Sequence, residues 1–154
     1  MNECNYWLMK SEPDAYSIEN LEEDNTTLWD GIRNYQARNF MRKMEIKDKA
    51  FFYHSNCKTP AIVGLMEVVE KNILDPTQFD KDSKYFDPKS TPIKPKWDCV
   101  KVKFLCKSKA ILSLSELKEL FNEDDLLITK RGNRLSITPV EARIAKIISN
   151  KLGL

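Results

Sequence analysis

Hydrophobic and polar positions alternate along several short stretches of the chain, which predicts β-strands with one buried face. The clearest alternation runs from Asp98 to Lys107, where Val100, Val102 and Phe104 occupy every second position. The stretch 61–69 is instead apolar on both faces and contains Gly64, which favours a bent strand or a close approach of another backbone. The five predicted strands are 6–10, 50–55, 61–69, 98–107 and 135–137.

Apolar residues recur at helical spacing after several good capping residues. Asn34 is a favourable N-cap, and Ser113 with Glu116 forms a capping box, so helices are expected to begin at these positions. We also expect Ser17 to cap a short helix, and Thr138-Pro139 to cap and start the last one. The predicted buried helical positions are Ile18 and Leu21; Ala37, Met41 and Met44; Leu114, Leu117 and Phe121; Val140, Ile144, Ile147 and Ile148.

Two polar segments interrupt these elements. Residues 22–27 are predicted to form a loop. The longer segment 75–96 contains four prolines together with Phe79, Tyr85 and Phe86. Its aromatic residues indicate that it packs down as a flap, although a mobile surface insertion is the alternative.

Strands interspersed with helices predict an α+β fold with a small, bent β-barrel at its centre. Residues 1–154 are expected to form a single domain. The net charge of +2 argues against a protein that relies on a dense basic surface, but it permits a local basic patch.

The cysteine and histidine content limits the possible chemistry. The chain contains four scattered cysteines and one histidine, His54, so we expect neither a metal site nor a cofactor. We also expect reduced thiols, a cytoplasmic location and no membrane span.

The residues from Trp29 to Phe40 combine groups that neither a core segment nor a simple solvated face requires. Asp30-Gly31 predicts a turn, and Arg33-Asn34 lies at the expected helix start. An aromatic ring, an amide and positive charge beside a helix N-terminus suit an aromatic, partly anionic ligand. The alternative is a core tryptophan followed by a helix with solvated arginines.

Three other clusters carry candidate binding groups, each with a purely structural alternative. Lys10-Ser11-Glu12-Pro13 ends the first strand, and Tyr53-His54-Ser55 ends another, with Tyr53 and Ser55 facing away from His54. The basic turn 130–134 leads into Leu135-Ser136 and could hold a phosphate group. The residues alone therefore predict a binding module for an aromatic, phosphate-bearing ligand.

These clusters, in this order, resemble the EVE domain family of the PUA-like superfamily. The segments that carry the resemblance are 6–13, 29–39, 51–56, 62–64, 85–90 and 131–137. Because they span nearly the whole chain, the resemblance implies a PUA-like fold and a non-enzymatic reader of a modified base, such as methylcytosine, in DNA or RNA.

The expected site follows from this resemblance, with the base flipped out of its stack into an aromatic-lined pocket. The proposed base pocket comprises Ser11, Trp29, Asn34, Tyr53, His54, Ser55, Leu135 and Ser136. The proposed phosphate contacts are Lys10, Arg33, Arg38, Arg131 and Arg134. Two alternatives stay open: an enzyme that uses Tyr53, His54 or Glu12 as acid or base on a nucleotide, and a small-molecule sensor.

Overall fold

The computed structural model describes residues 4–154, so the first three residues of the predicted domain lie outside it. Six strands and four α-helices make up the part of the chain that the structure describes. In chain order they are β1 (Tyr6–Ser11), α1 (Ile18–Asp24), β2 (Thr26–Leu28), α2 (Tyr35–Arg42), β3 (Lys49–His54), β4 (Ala61–Leu74), β5 (Asp98–Ser113), α3 (Leu114–Leu120), β6 (Ile137–Val140) and α4 (Ala142–Leu152). Short 3₁₀ helices cover Pro76–Phe79 and Leu127–Thr129.

The strands form one mixed sheet in the order β2-β5-β4-β3-β1-β6. The predicted α+β class is confirmed. Closure into a barrel is not confirmed, because within residues 4–154 the sheet is open and its edge strands β2 and β6 are not paired with each other. Neighbouring strands are antiparallel except β1 and β3, which run parallel.

The sheet bends where β4 pairs with β5. The pairing register shifts at four places along these two long strands. Gly64 lies beside one shift, and a Cβ atom there would be 2.7 Å from both the carbonyl oxygen of Cys106 and the Cδ1 of Ile18. The close approach predicted for Gly64 is therefore confirmed.

The core lies on both faces of the sheet. Ala50 and Phe52 pack on one face, whereas Phe51 and Tyr53 pack on the other, as the alternation along 50–55 predicts. The first face is covered by α1 and α2, and the second by α3 and α4. The predicted stripe of Ala37, Met41 and Met44 is fully buried.

The predicted caps hold three helices in place. The side chains of Ser17, Asn34 and Ser113 each accept a hydrogen bond from a backbone N–H of the first turn that follows. Gly153 ends α4 in the left-handed conformation, with φ +76°. Local capping chemistry was therefore a reliable guide to where these helices begin or end.

Three local predictions are wrong, and in the first two the pairing between strands overrides local preference. Residues 22–27 are not a loop, since α1 continues to Asp24 and β2 begins at Thr26. Thr138 and Pro139 belong to β6, where they pair with β1, and α4 begins only at Ala142. Ile147 is 39% exposed rather than buried.

Within residues 4–154, no helix is long and apolar enough to cross a membrane.

Candidate functional site

A cleft of about 960 Å³ opens at the end of β1. Its lining comes from residues 10–12, 15–16, 27–34 and 84–85, together with Ser55, Arg134 and Ser136. This volume is at the upper end of the range of about 300–1,000 Å³ that is common for ligand sites. The cleft is thus large enough for a nucleotide-sized ligand.

The cleft brings together most of the residues that the sequence singled out. Lining it are Lys10, Ser11, Trp29, Arg33, Asn34, Ser55, Arg134 and Ser136. Tyr53 and Arg131 line a smaller adjacent pocket of about 290 Å³ that shares Lys10 and Ser55 with the cleft. His54, Leu135 and Arg38 line neither cavity.

Trp29 forms part of the cleft wall while its ring packs into the core. Only 7% of the residue is exposed, and its ring meets Phe52 edge-on with 5.5 Å between centroids. The other two tryptophans bind carboxylates: Trp7 donates its indole N–H to Asp48 at 2.9 Å, and Trp97 donates to Asp87 at 2.7 Å. Trp29 has no such partner among residues 4–154, so its indole N–H is free for a ligand.

Arg33 is held by the protein rather than free. Its guanidinium donates to Asp75 at 3.0 Å, to Thr77 at 3.0 Å, and to the backbone oxygens of Tyr85 and Ile32. These bonds occupy the side chain's donors. A phosphate would have to compete with a fully buried carboxylate for this arginine.

Asp75 organises the wall that contains Trp29. Its side chain is fully buried and accepts hydrogen bonds from the backbone N–H of Gly31 at 2.8 Å, from Arg33 and from Thr77. The segment 75–97 is therefore tied to the turn at 30–33, and the predicted packing of this segment is confirmed. Tyr85 lies directly against Gly31, where a Cβ would come within 2.7 Å of the Tyr85 ring.

Arg38 lies away from the cleft, on the outer side of this wall. Its guanidinium is 4.7 Å from the centroid of Tyr35 and donates to the backbone oxygen of Lys96 at 2.8 Å. It also donates to Asn39. Its contacts fasten α2 to residues 96–97.

Two predicted polar contacts already have internal partners. Asn34 accepts from the backbone N–H of Ala37 at 2.9 Å as the cap of α2, which leaves its amide NH₂ without a bond. Ser11 donates its hydroxyl to the backbone oxygen of Tyr16 at 2.5 Å, which leaves its oxygen able to accept. Each residue retains one polar function for a ligand.

His54 faces α1 rather than the cleft. Its Nε2 accepts a hydrogen bond from the backbone N–H of Ile18 at 3.1 Å, so the imidazole is neutral there. Burial lowers its pKa, which the nearby Glu19 partly offsets. This histidine positions a helix start, and the structure does not bring it to the predicted base pocket.

Three basic groups around the cleft have no ion-pair partner within residues 4–154. They are Lys10, Lys84 and Arg134. Lys10 is half-buried, and this burial lowers its pKa. An unpaired cation in such a place is stabilised by an anionic ligand.

Asp30 stands at the cleft mouth and was not predicted as a site residue. Partial burial, and to a lesser extent the nearby Asp75, raise the pKa of its carboxyl group, whereas Arg33 lowers it. A carboxylate at this place can accept a hydrogen bond from an amino group of a ligand.

Sequence reasoning also missed Tyr16, Lys84 and Tyr85, all of which line the cleft. Tyr85 belongs to a segment of the resemblance, which was a usable signal. Asp75 precedes Pro76, which marks a helix start, but no local pattern shows that it reaches the turn at 30–33.

Within residues 4–154, no group of three or more histidine, cysteine, aspartate or glutamate side chains is placed to hold a metal ion.

Comparisons with known proteins assign the family. A family model described as the EVE domain matches residues 5–151. Thymocyte nuclear protein 1 of Rattus norvegicus is 51% identical over 128 residues, which cover 76% of this chain and 57% of the relative. The human protein of the same name is 43% identical over 159 residues, covering 90% of this chain and 70% of the relative. The chain thus spans little more than half the length of the rat relative.

Solved structures agree over almost the full chain. The human THYN1 protein in complex with 5-methylcytosine-containing DNA superimposes with a TM-score of 0.91 at 39% identity, covering 97% of this chain and 98% of that one. A protein from Pseudomonas putida gives a TM-score of 0.92 at 42% identity, covering 97% and 99%. The chain therefore belongs to the EVE domain family.

Proposed function

We propose that this protein is a non-enzymatic reader of a modified base in nucleic acid, and that DNA containing 5-methylcytosine is its ligand. The solved complex of human THYN1 with 5-methylcytosine-containing DNA supports the choice of ligand. The observation that carries the proposal in this chain is the large cleft, which joins the free indole N–H of Trp29 to unpaired cations.

The energetics favour a flipped base. Extruding a base from a duplex costs roughly a few kcal/mol, and stacking on an aromatic side chain returns about 1–3 kcal/mol. Tyr85 offers aromatic surface in the cleft, whereas the ring of Trp29, a residue only 7% exposed, is mostly covered by the core. Phosphate contacts by Lys10 and Arg134 supply the remaining favourable free energy without reading sequence.

The base edge meets polar groups from three segments. The NH₂ of Asn34, the hydroxyl oxygen of Ser11 and the carboxylate of Asp30 all border the cleft. A carboxylate accepts a hydrogen bond from the exocyclic amino group of cytosine, which thymine lacks. Asp30 therefore gives the pocket a preference for cytosine bases over thymine.

The remaining residues that were predicted to contact the ligand have different roles, which depend on where they lie. Ser55 and Ser136 border the base, with Leu135 contributing main-chain groups beside them, and Tyr53 and Arg131 act from the smaller pocket. His54, Arg33 and Arg38 act indirectly, by holding α1 and the Trp29 wall in place. This division replaces the direct base and phosphate contacts expected of those three residues.

Titration by fluorescence anisotropy tests the proposal. Short duplexes that differ only in one cytosine, methylated or not, are compared with single-stranded DNA and RNA of the same sequence. We expect the methylated duplex to bind about fourfold more tightly than the unmodified one, since burying one methyl contributes about 0.8 kcal/mol. Equal binding of both duplexes, or no binding of either, would contradict the proposal, and tighter binding of the RNA would redirect it.

Two substitutions test whether the base lies beside Asp30. Asp30→Asn should weaken binding of the methylated duplex and reduce discrimination against a thymine at the same position, whereas Asp82→Asn, on the exposed part of the 75–96 segment, should leave both unchanged. If Asp30→Asn retains full discrimination, the base does not meet this carboxylate.

A further inference from the structure

All the charged side chains that line the smaller pocket beside the cleft are basic. Its basic side chains are Lys10, Lys118, Lys130 and Arg131, and no aspartate or glutamate lines it. The larger cleft differs, since Glu12 and Asp30 offset part of its positive charge. None of the four cations of the smaller pocket forms an ion pair within residues 4–154.

A hydroxyl group without a hydrogen-bond partner within residues 4–154 opens into the same pocket. Tyr53 is only 2% exposed, yet it lines the pocket, and its hydroxyl makes no hydrogen bond to another residue of 4–154. The hydroxyl can therefore donate a hydrogen bond to a group that enters the pocket. Burial, with a smaller contribution from Cys57, raises the pKa of this phenol to about 12, so the hydroxyl keeps its proton and can donate.

The parallel pairing of β1 with β3 explains why Tyr53 and Lys10 line the same pocket. Lys10 and Tyr53 are register partners across the two strands, and side chains of register partners project from the same face of a sheet. Lys118 comes from α3, and Lys130 and Arg131 come from the basic turn. Four separate elements thus direct donors into one small space.

We propose that this pocket is a phosphate subsite, in which the Tyr53 hydroxyl donates to a phosphate oxygen surrounded by Lys10, Lys118, Lys130 and Arg131. The volume of about 290 Å³ lies just below the usual range for whole small-molecule ligands, so it fits a single phosphate group better than a nucleotide. Four cations without a carboxylate favour an anion over a neutral group.

The subsite rests on the proposed function for the source of its phosphate. Lys10 and Ser55 line both cavities, so a strand whose base enters the larger cleft places a neighbouring phosphate at the smaller one. This reassigns Tyr53 from the base edge to the backbone. It also adds Lys118, which the sequence motifs did not single out, and Lys130, which they indicated only as part of the basic turn.

A phosphate-by-phosphate substitution tests the subsite. In a set of duplexes with one 5-methylcytosine, each phosphodiester near that base is replaced in turn by a neutral methylphosphonate. For the wild-type protein we expect one replacement to weaken binding about tenfold, which corresponds to 1.4 kcal/mol. Tyr53→Phe should weaken binding of the unsubstituted duplex by a similar factor and should show no additional loss with that one methylphosphonate.

The cations give an independent signature in the same assay. Lys118→Ala should reduce the slope of log affinity against log salt by about 0.7–0.9, whereas Tyr53→Phe removes no charge and should leave the slope unchanged. Lys146→Ala, an exposed lysine of α4 that lines neither cavity, is the matched control and should change neither quantity. If the loss of affinity caused by Tyr53→Phe adds fully to the loss caused by every methylphosphonate, the subsite is overturned.

Inorganic phosphate separates failure of the subsite from failure of the proposed function. In ¹H–¹⁵N NMR spectra we expect phosphate to shift the amide signals of Gly132 and Asn133, and we expect Tyr53→Phe or Lys118→Ala to weaken the response. If no oligonucleotide binds but these shifts remain, the subsite stands and takes free phosphate or a mononucleotide, while the reader function fails. If oligonucleotides bind but phosphate shifts neither signal, the subsite fails alone.

Discussion

The two walls of the cleft are built in opposite ways. The first wall comprises residues 29–34 together with 75–97, and hydrogen bonds from Asp75 and Arg33 cross-link its two parts. The second wall contains Arg134 and Ser136 and continues through residues 130–133, which line the smaller pocket. Its backbone is anchored by bonds such as that from the N–H of Lys10 to the oxygen of Ser136, but its basic side chains are exposed and form no ion pair within the described part of the chain.

The difference shows that an arginine beside a ligand cleft need not be a ligand contact. Arg33 faces a fully buried carboxylate, so its charge is already neutralised by the protein. Arg134 has no ion-pair partner within residues 4–154, so its charge acts on whatever enters the cleft. The first wall fixes the shape of the cleft, and the second wall supplies its free positive charge.

Removing the central carboxylate of the first wall should have the largest effect. Asp75→Ala leaves Arg33 and the N–H of Gly31 without their partner, and breaking a buried ion pair on one side costs about 3–5 kcal/mol. Chemical denaturation measures the loss. Asp82→Ala, at an exposed position of the same segment, serves as the control and should change stability little, and equal effects of the two substitutions would mean that the first wall is not cross-linked as described.

The next largest effect is expected at two glycines that share one backbone conformation but lie in different walls. Gly31 has φ +80° and Gly132 has φ +77°, but only Gly31 has a neighbour, Tyr85, within contact of a Cβ. Gly132→Ala should cost about 1–2 kcal/mol from the left-handed conformation alone. Gly31→Ala should cost about 1–3 kcal/mol more, because Tyr85 has to move.

Both glycine variants are measured by denaturation in parallel. The fluorescence of the aromatic residues near the cleft should change only in Gly31→Ala. Equal destabilisation by the two substitutions would show that Tyr85 accommodates the methyl group without strain.

The two arginines should respond in different measurements. Arg33→Lys loses several hydrogen bonds to Asp75, Thr77 and Tyr85, and should reduce the free energy of unfolding by about 1–3 kcal/mol. Arg134→Ala should leave stability unchanged but weaken DNA binding and lower the salt slope by about one. The reverse assignment, with the slope altered only in Arg33→Lys, would invert the roles of the two walls.

The smallest expected effect concerns pH and lies outside both walls. Burial lowers the pKa of His54 below its ordinary value of about 6.5, so the unfolded chain takes up a proton before the folded one does. Stability should therefore fall as pH decreases from 7 through 6.5, until the folded pKa is reached. His54→Gln should flatten this part of the pH profile, and an unchanged profile would remove His54 as its source.

The sequence predicted local features well and long-range ones poorly, for a physical reason. The caps at Ser17, Asn34 and Ser113 depend on neighbours a few residues away, and all three formed as predicted. The placement of 138–139 depends on pairing with β1, more than a hundred residues away, and the prediction there was wrong.

The candidate site shows the same division. Motifs identified eight residues that line the cleft, because the resemblance preserves their order along the chain. They did not reveal that Asp75, Thr77 and backbone oxygens occupy the donors of Arg33, or that His54 turns toward α1. Those outcomes depend on which segments meet in space, which neither spacing nor residue type records.

The indole N–H signals of the three tryptophans test the central claim most directly. Trp7 and Trp97 donate to Asp48 and Asp87, whereas Trp29 has a free N–H in the cleft wall. Each signal can be assigned in ¹H–¹⁵N spectra by replacing one tryptophan with phenylalanine. When a duplex with one 5-methylcytosine is added, we expect a large shift of the Trp29 signal and small shifts of the other two. Saturable binding that leaves the Trp29 signal in place would contradict a base held in this cleft.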